Sequence, residues 1–208
     1  MLNITHVKVY DLKESVIACR NAMRLQPVEY TDEEFEASLS RAIKLVKASK
    51  NSEVKCHDNY LTGIRVSFDL KYTQYITKQF QRYHWFDYVS SSSLMHRITK
   101  MDFNTCTNKY VLPEAKALMC RLINEYNEIP DTDNERKYEK YMEVISNCPM
   151  GTELFVRVST NYKQLQTIYN QRKHHKLKED WGVFCRFVES LPYAKELILG
   201  ETSTESPT

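Results

Sequence analysis

Apolar positions along this chain change their period several times, and each change marks an element. Ile64, Val66, Phe68 and Leu70 alternate with Arg65, Ser67, Asp69 and Lys71, the pattern of a strand with one buried face. Leu154, Val156 and Val158 repeat that alternation, and residues 4–10, with Val7 and Val9 on one face, predict a further strand. Three-four spacing takes over elsewhere. Asp11 with Glu14 reads as a cap before Val16, Ile17, Cys19, Ala22 and Met23. Thr31 with Glu34 reads as a second cap, before Phe35, Leu39, Ala42, Ile43 and Val46. Residues 48–58 are polar and predict a loop. Tyr72, Tyr75, Ile76, Gln79, Phe80 and Tyr83 mark one face of a helix, and Pro113 opens another that ends near Pro130. A charged helix over 134–145 follows, then one after Asn161, one carrying Trp181, Phe184, Cys185 and Val188, and a short one from Pro192. Strands few and far apart among many helices predict an α+β class, a helix-rich single domain over residues 1–200 with a small, mainly antiparallel sheet. Residues 201–208 read as a flexible tail.

Composition narrows the function classes. With 42% hydrophobic and 12% aromatic residues in 208, the chain has material for a core, and four glycines are too few for a glycine-rich dinucleotide loop. Twenty-nine basic against 27 acidic residues leave a net charge of +2, which gives no field for non-specific nucleic-acid binding. The six cysteines (Cys19, Cys56, Cys106, Cys120, Cys148, Cys185) are scattered without a C-x-x-C and read as reduced thiols of a cytoplasmic protein. The first residues have no signal-peptide pattern, and no apolar run is long enough to span a membrane. The histidines lack metal-site spacing, and no nucleophile motif is present.

The candidate chemistry sits where polar groups interrupt apolar stripes. Leu165, Ile168 and Tyr169 set the inward stripe of the helix after Asn161, and Asn161 and Arg172 fall in the same register. A guanidinium keeps its charge at any accessible pH, so an inward Arg172 needs an anion of the fold, a ligand, or a path for its head to water. Gln79 shares a face with Tyr75, Ile76 and Tyr83, with Arg82 close by. Together with the run Tyr83-His84-Trp85-Phe86 and the serines 90–93, these residues build either a pocket or a plain core followed by a flexible turn and a helix cap. The basic stretch 172–178 reads as a solvated helix end or as a phosphate or RNA contact.

Two of these segments resemble the flavin-dependent thymidylate synthases. FDLKYTQYITKQFQRYHWFDYVSSSS is similar to the strand, helix and signature R-H-R-x-x-S-x-N-E-x-S-x-R of that family. Gln79 and Arg82 match its glutamine and first arginine; Tyr83 stands for the histidine and His84 for the second arginine. Ser90 occupies the glutamate position, Ser92 keeps the serine, and Leu94 replaces the last arginine. RVSTNYKQLQTIYNQRKHHKLKEDW resembles the family's strand, N-A-R-S-L segment and following arginine. His57 resembles the histidine of its G-H segment, although the E-H that follows there is not preserved, Leu61 and Thr62 lying nearby instead, and Ile145 lies near the place of a phosphate-binding arginine.

The resemblance implies a homotetramer with sites between subunits and bound FAD, converting dUMP to dTMP with methylenetetrahydrofolate as carbon donor and NADPH as reductant. It implies that Arg172 polarises the uracil ring, and that Gln79, Arg82, Ser90, Ser91, Ser92 and Arg97 hold the nucleotide. His57, Tyr83, His84, Asn161, Lys163 and Thr167 fall to the flavin, Lys163 replacing an arginine. A non-catalytic nucleotide-binding relative is the alternative that the lost signature arginines suggest, and an RNA-binding module is a third.

Overall fold

The computed structural model describes residues 2–51 and 57–201. The tail over 202–208 lies outside the described residues, as does Cys56. The strand with the strictest alternation is the centre of the fold. β2 (Arg65–Thr73) buries Val66, Phe68, Leu70 and Tyr72, and it pairs antiparallel with β4 (Glu153–Asn161) from Arg65 opposite Asn161 to Thr73 opposite Glu153. β1 (Asn3–Tyr10) lies outside β2 and β3 (Asp87–Ser91) outside β4, giving the order β1-β2-β4-β3 with every pairing antiparallel. This is an α+β chain with one small antiparallel sheet, as the spacing predicts.

The two edge strands depart from the sequence reading, and both do so through one extra residue. In β1 the pairing slips between Thr5 and Lys8, where His6 takes a positive φ of 51°. The slip exchanges the faces, so Ile4 and Val9 pack on the core while Val7 is exposed rather than sharing a face with Val9. In β3 the slip falls between Tyr88 and Ser90, turning Val89 outward. The serines 90–93 are therefore no flexible turn. Ser90 and Ser91 pair with Arg157 and Val156, Ser92 exchanges two hydrogen bonds with Phe155, and Ser93 caps α4 (Leu94–Arg97) by accepting from the His96 amide at 3.3 Å.

The helices form at the expected places with adjusted ends. α1 (Leu12–Ala18) starts at Asp11 in a left-handed conformation with φ 58°, and the Asp11 side chain caps nothing. α2 (Asp32–Asn51) is capped as predicted, Thr31 Oγ1 accepting from the Glu34 amide at 3.2 Å, and runs through residues read as loop. β2 continues through Tyr72 and Thr73, so the following helix, α3 (Thr77–Phe80), is a single turn. α5 (Pro113–Glu128) and α6 (Asn134–Ser146) pack around Phe103, Met119, Leu122 and Val144 in a satellite cluster. α7 (Tyr162–Arg172), α8 (Lys178–Glu189) and a π-helical turn (Lys195–Leu199) cover the inner face of the sheet. There an aromatic core joins elements far apart in sequence. Phe80 stacks on Phe86 at 4.9 Å between centroids and touches Trp181 at 4.8 Å, while Phe68 meets Phe187 at 4.8 Å. No helix among the described residues is long and apolar enough to cross a membrane.

Candidate functional site

β4 hands over to α7 at Asn161, whose Oδ1 accepts from the Gln164 amide at 2.8 Å and so caps the helix. Tyr162, Leu165 and Ile168 bury the inward stripe, which fixes the rotation of α7 and brings Arg172, at its C-terminal end, against α8 and the loop before β3. Asn161→Ala is expected to lower unfolding free energy by about 1 kcal/mol through loss of this cap, measured by urea denaturation, while Asn161→Asp retains it.

Arg172 meets no carboxylate: among the described residues it forms no ion pair. Its Nε donates to the Tyr83 hydroxyl at 2.7 Å, and its guanidinium lies 4.7 Å from the Trp181 ring centroid and 5.5 Å from that of Tyr83. Tyr83 in turn donates to Gln171 Oε1 at 3.1 Å, and burial raises its pKa against the opposing pull of Arg172. Trp181 donates its indole N–H to Gln79 Oε1 at 3.2 Å. Gln79, Tyr83 and Arg172, three residues predicted from sequence, thus converge around one buried tryptophan. His175 lies beside the same ring, at 6.0 Å, and partial burial followed by the charges of Arg172 and Lys176 lowers its pKa. An NMR titration should place the His175 midpoint below the ordinary value of about 6.5 and move it upward in Arg172→Ala. A lowered midpoint also means that stability contributed by neutral His175 is complete above the unfolded value and is lost as pH falls through the folded one.

The other predicted residues gather elsewhere. Ser92 and Arg97 meet at Phe155, Arg97 lying 5.3 Å above its exposed ring, while Ser90 and Ser91 line the neighbouring sheet edge. Arg82, His84 and His57 are exposed. Lys163 is engaged within the fold: its Nζ donates to Asp58 Oδ1 at 2.6 Å and to Gln166 Oε1 at 3.3 Å. Thr167 is one helical turn on, returning its hydroxyl to the Lys163 carbonyl.

Three hollows surround these groups. One of about 440 Å³ opens at the start of α7 between Asn161, Arg65, Asp87 and the exposed Trp85. A second, about 540 Å³, runs along the outer side of α7 past Lys50, Asp58, Lys163, Gln166, Thr167 and Asn170. The third, about 670 Å³, lies between α8 and the segment before α5 and reaches Gln79. Arg172 lines none of the three. Sequence reasoning missed Asp58 and Asp180, both buried. An acid in the first turn of a helix ordinarily serves the dipole, so Asp180 carries no signal of its own. Among the described residues no cluster of histidine, cysteine and carboxylate side chains could hold a metal ion.

No protein-family model and no curated protein sequence matches this chain. Solved structures do. The flavin-dependent thymidylate synthase ThyX from Helicobacter pylori, complexed with FAD and dUMP, superposes over 96% of this chain and 100% of its own with a TM-score of 0.66 at 14% identity. The UMP/dUMP methylase PolB from Streptomyces cacaoi, bound with 5-Br dUMP, superposes over 96% of this chain and 94% of its own with a TM-score of 0.59 at 9% identity. The chain has the fold of these enzymes at 14% sequence identity or less.

Proposed function

We propose that this chain methylates dUMP to dTMP, with FAD as bound cofactor and methylenetetrahydrofolate and NADPH as co-substrates. The observation that carries the reading is Arg172: a guanidinium held between two aromatic rings by a tyrosine hydroxyl, with no carboxylate among the described residues to neutralise it. Such a group suits an incoming anion or a ring on which negative charge develops. Carbon 5 of uracil becomes nucleophilic as charge moves onto the ring oxygens, and a fixed cation at the imide edge lowers the energy of that state without a protein nucleophile. Tyr83 and Trp181 keep the guanidinium oriented before substrate arrives, which lowers the reorganisation needed.

FAD would supply the redox step that completes the methyl group. The outer side of α7 lines one hollow with Lys50, Lys163, Thr167, Asn170 and Gln171; Lys50, Lys163 and the Thr167 hydroxyl already donate within the fold, and the amides of Asn170 and Gln171 are the further donors for ribose and phosphate oxygens. With His57, Tyr83, His84 and Asn161, these residues would hold the cofactor.

Arg82, Ser90, Ser91, Ser92 and Arg97 would bind the nucleotide phosphate. Within one chain, Ser92 and Arg97 gather at Phe155 and Arg172 at Trp181, so the reading assigns a complete site to a homotetramer in which one subunit's serines face another's arginine. Val89, Met95 and Phe155, exposed near those serines, supply apolar surface for such a contact. A non-catalytic nucleotide-binding protein is the second reading; Lys163, committed to Asp58, favours it by removing a cation from the cofactor's reach.

The test is purification followed by FAD titration and assay of dTMP formation from dUMP with both co-substrates. Yellow protein and turnover are expected. Colourless protein that FAD does not turn yellow overturns the enzymatic reading, and dUMP binding without turnover supports the second.

A further inference from the structure

The outward face of α2 has an order that the methylation reading leaves unused. Glu33, Glu36, Ala37, Ser40, Arg41 and Lys44 are exposed along it, while Phe35, Ser38, Ala42 and Val46 bury the opposite face. The acids lie toward the N-terminus, the bases toward the C-terminus, and the two small residues between them. None of the four charges forms an ion pair among the described residues. Beside this face stands an apolar prong. Met23 and Leu25 are 83% and 97% exposed. Their segment is nevertheless pinned: Arg24 donates to the Ile17 carbonyl at 2.9 Å and to Asn21 Oδ1 at 3.2 Å, and it pairs with Glu34. Met23 joins Arg20, Ala37, Ser40, Arg41 and Lys44 around a hollow of about 320 Å³. Large apolar side chains held in water by an ordered backbone gain free energy when another molecule covers them.

We propose that this face is an isologous interface between two copies of the chain, with α2 of one packed antiparallel on α2 of the other. A two-fold axis at the midpoint between Ser38 and Leu39 sets residues equally far from that point opposite each other. That one register places Glu33 opposite Lys44, Glu36 opposite Arg41, and Ala37 opposite Ser40 of the second copy. Every charge then meets its opposite, and the small residues at the crossing let the helices approach closely. A parallel pairing would set acid on acid and base on base. Exposed ion pairs contribute little affinity by themselves, so they fix the orientation while the covered Met23 supplies the apolar contact. The surface lies on a different element from the serine edge at Phe155 and does not include Arg172, so the inference does not rest on the methylation reading. It leaves that edge free for the second contact that a tetramer requires.

Sedimentation velocity on the full chain over a range of micromolar concentrations tests this. Arg41→Glu/Lys44→Glu makes the face wholly acidic, and Glu33→Lys/Glu36→Lys makes it wholly basic. All four positions are exposed, so both variants should fold. Each alone is expected to weaken association about thirtyfold or more, because like charges then face each other across the axis. An equimolar mixture of the two should associate at least as tightly as wild type, since acidic face meets basic face. Met23→Ser should weaken association about fivefold through lost apolar contact. A wild-type chain that sediments as a monomer throughout overturns the proposal. So do charge-reversed variants that associate as wild type does, or a mixture that associates no better than either variant alone. A tetramer kept by every variant overturns the α2 contact and leaves the homotetramer of the methylation reading standing. Association lost in each variant and regained in the mixture, from a protein that forms no dTMP, upholds the contact and removes that reading.

Discussion

Arg172→Ala is expected to lower dTMP formation about 1,000-fold while the protein remains folded. Removing one preorganised donor to developing charge typically costs about 10²–10³ in rate, and a guanidinium presents two such donors together with a full charge. The structural cost is smaller. The side chain contributes one hydrogen bond to Tyr83 and two cation–ring contacts, worth about 1–2 kcal/mol together at a half-buried position. Arg172→Lys should recover little, because an ammonium is neither planar nor able to donate in parallel. The measurement is kcat and KM for dUMP beside a urea melt of each variant. A loss of activity that tracks a loss of stability, or an Arg172→Ala enzyme within tenfold of wild type, would remove Arg172 from the chemistry.

The second large effect is on stability. Asp58 is fully buried, and its Oδ1 is held by Lys163 at 2.6 Å while Oδ2 has no hydrogen-bond partner among the described residues. Lys163→Met keeps most of the side-chain volume but strands that carboxylate, a change expected to cost about 3 kcal/mol or more. Neutralising the acid as well, in Asp58→Asn/Lys163→Met, should restore most of the loss, because the penalty comes from an uncompensated charge rather than from missing packing. Urea denaturation of both singles and the double closes the cycle. Additive single losses would mean that the two side chains stabilise the fold independently. The same variants bear on cofactor binding: if Lys163 serves only Asp58, the double variant should hold FAD as wild type does.

Edge strands and partners account for what sequence reading missed. β3 was invisible because an edge strand with one wet face needs few apolar residues; Tyr88 alone turns to the core in a strand that reads Asp-Tyr-Val-Ser-Ser. The bulge in β1 was equally hidden, since one added residue swaps the faces of Val7 and Val9 without changing their β-branched character. The helix cap at Thr31 was legible because it is a contact across three residues, whereas the similar pattern at Asp11 was overridden by a left-handed backbone.

The chain's own periodicity determined the central strands, the helices that cover them, and the register that turns Asn161 and Arg172 along one stripe. These follow from local geometry, in which residue spacing alone decides which side chains share a face. What each side chain meets was decided only by tertiary structure. Tyr83 reaches Arg172 across 89 residues, and Asp58 reaches Lys163 and Tyr75 reaches Asp180 across 105 each. The hydrophobic drive that closes those distances is indifferent to which polar groups it brings together. Hence a periodic pattern could announce a cation turned inward, while the rings, the hydroxyl and the missing carboxylate around it became visible only in the packed chain.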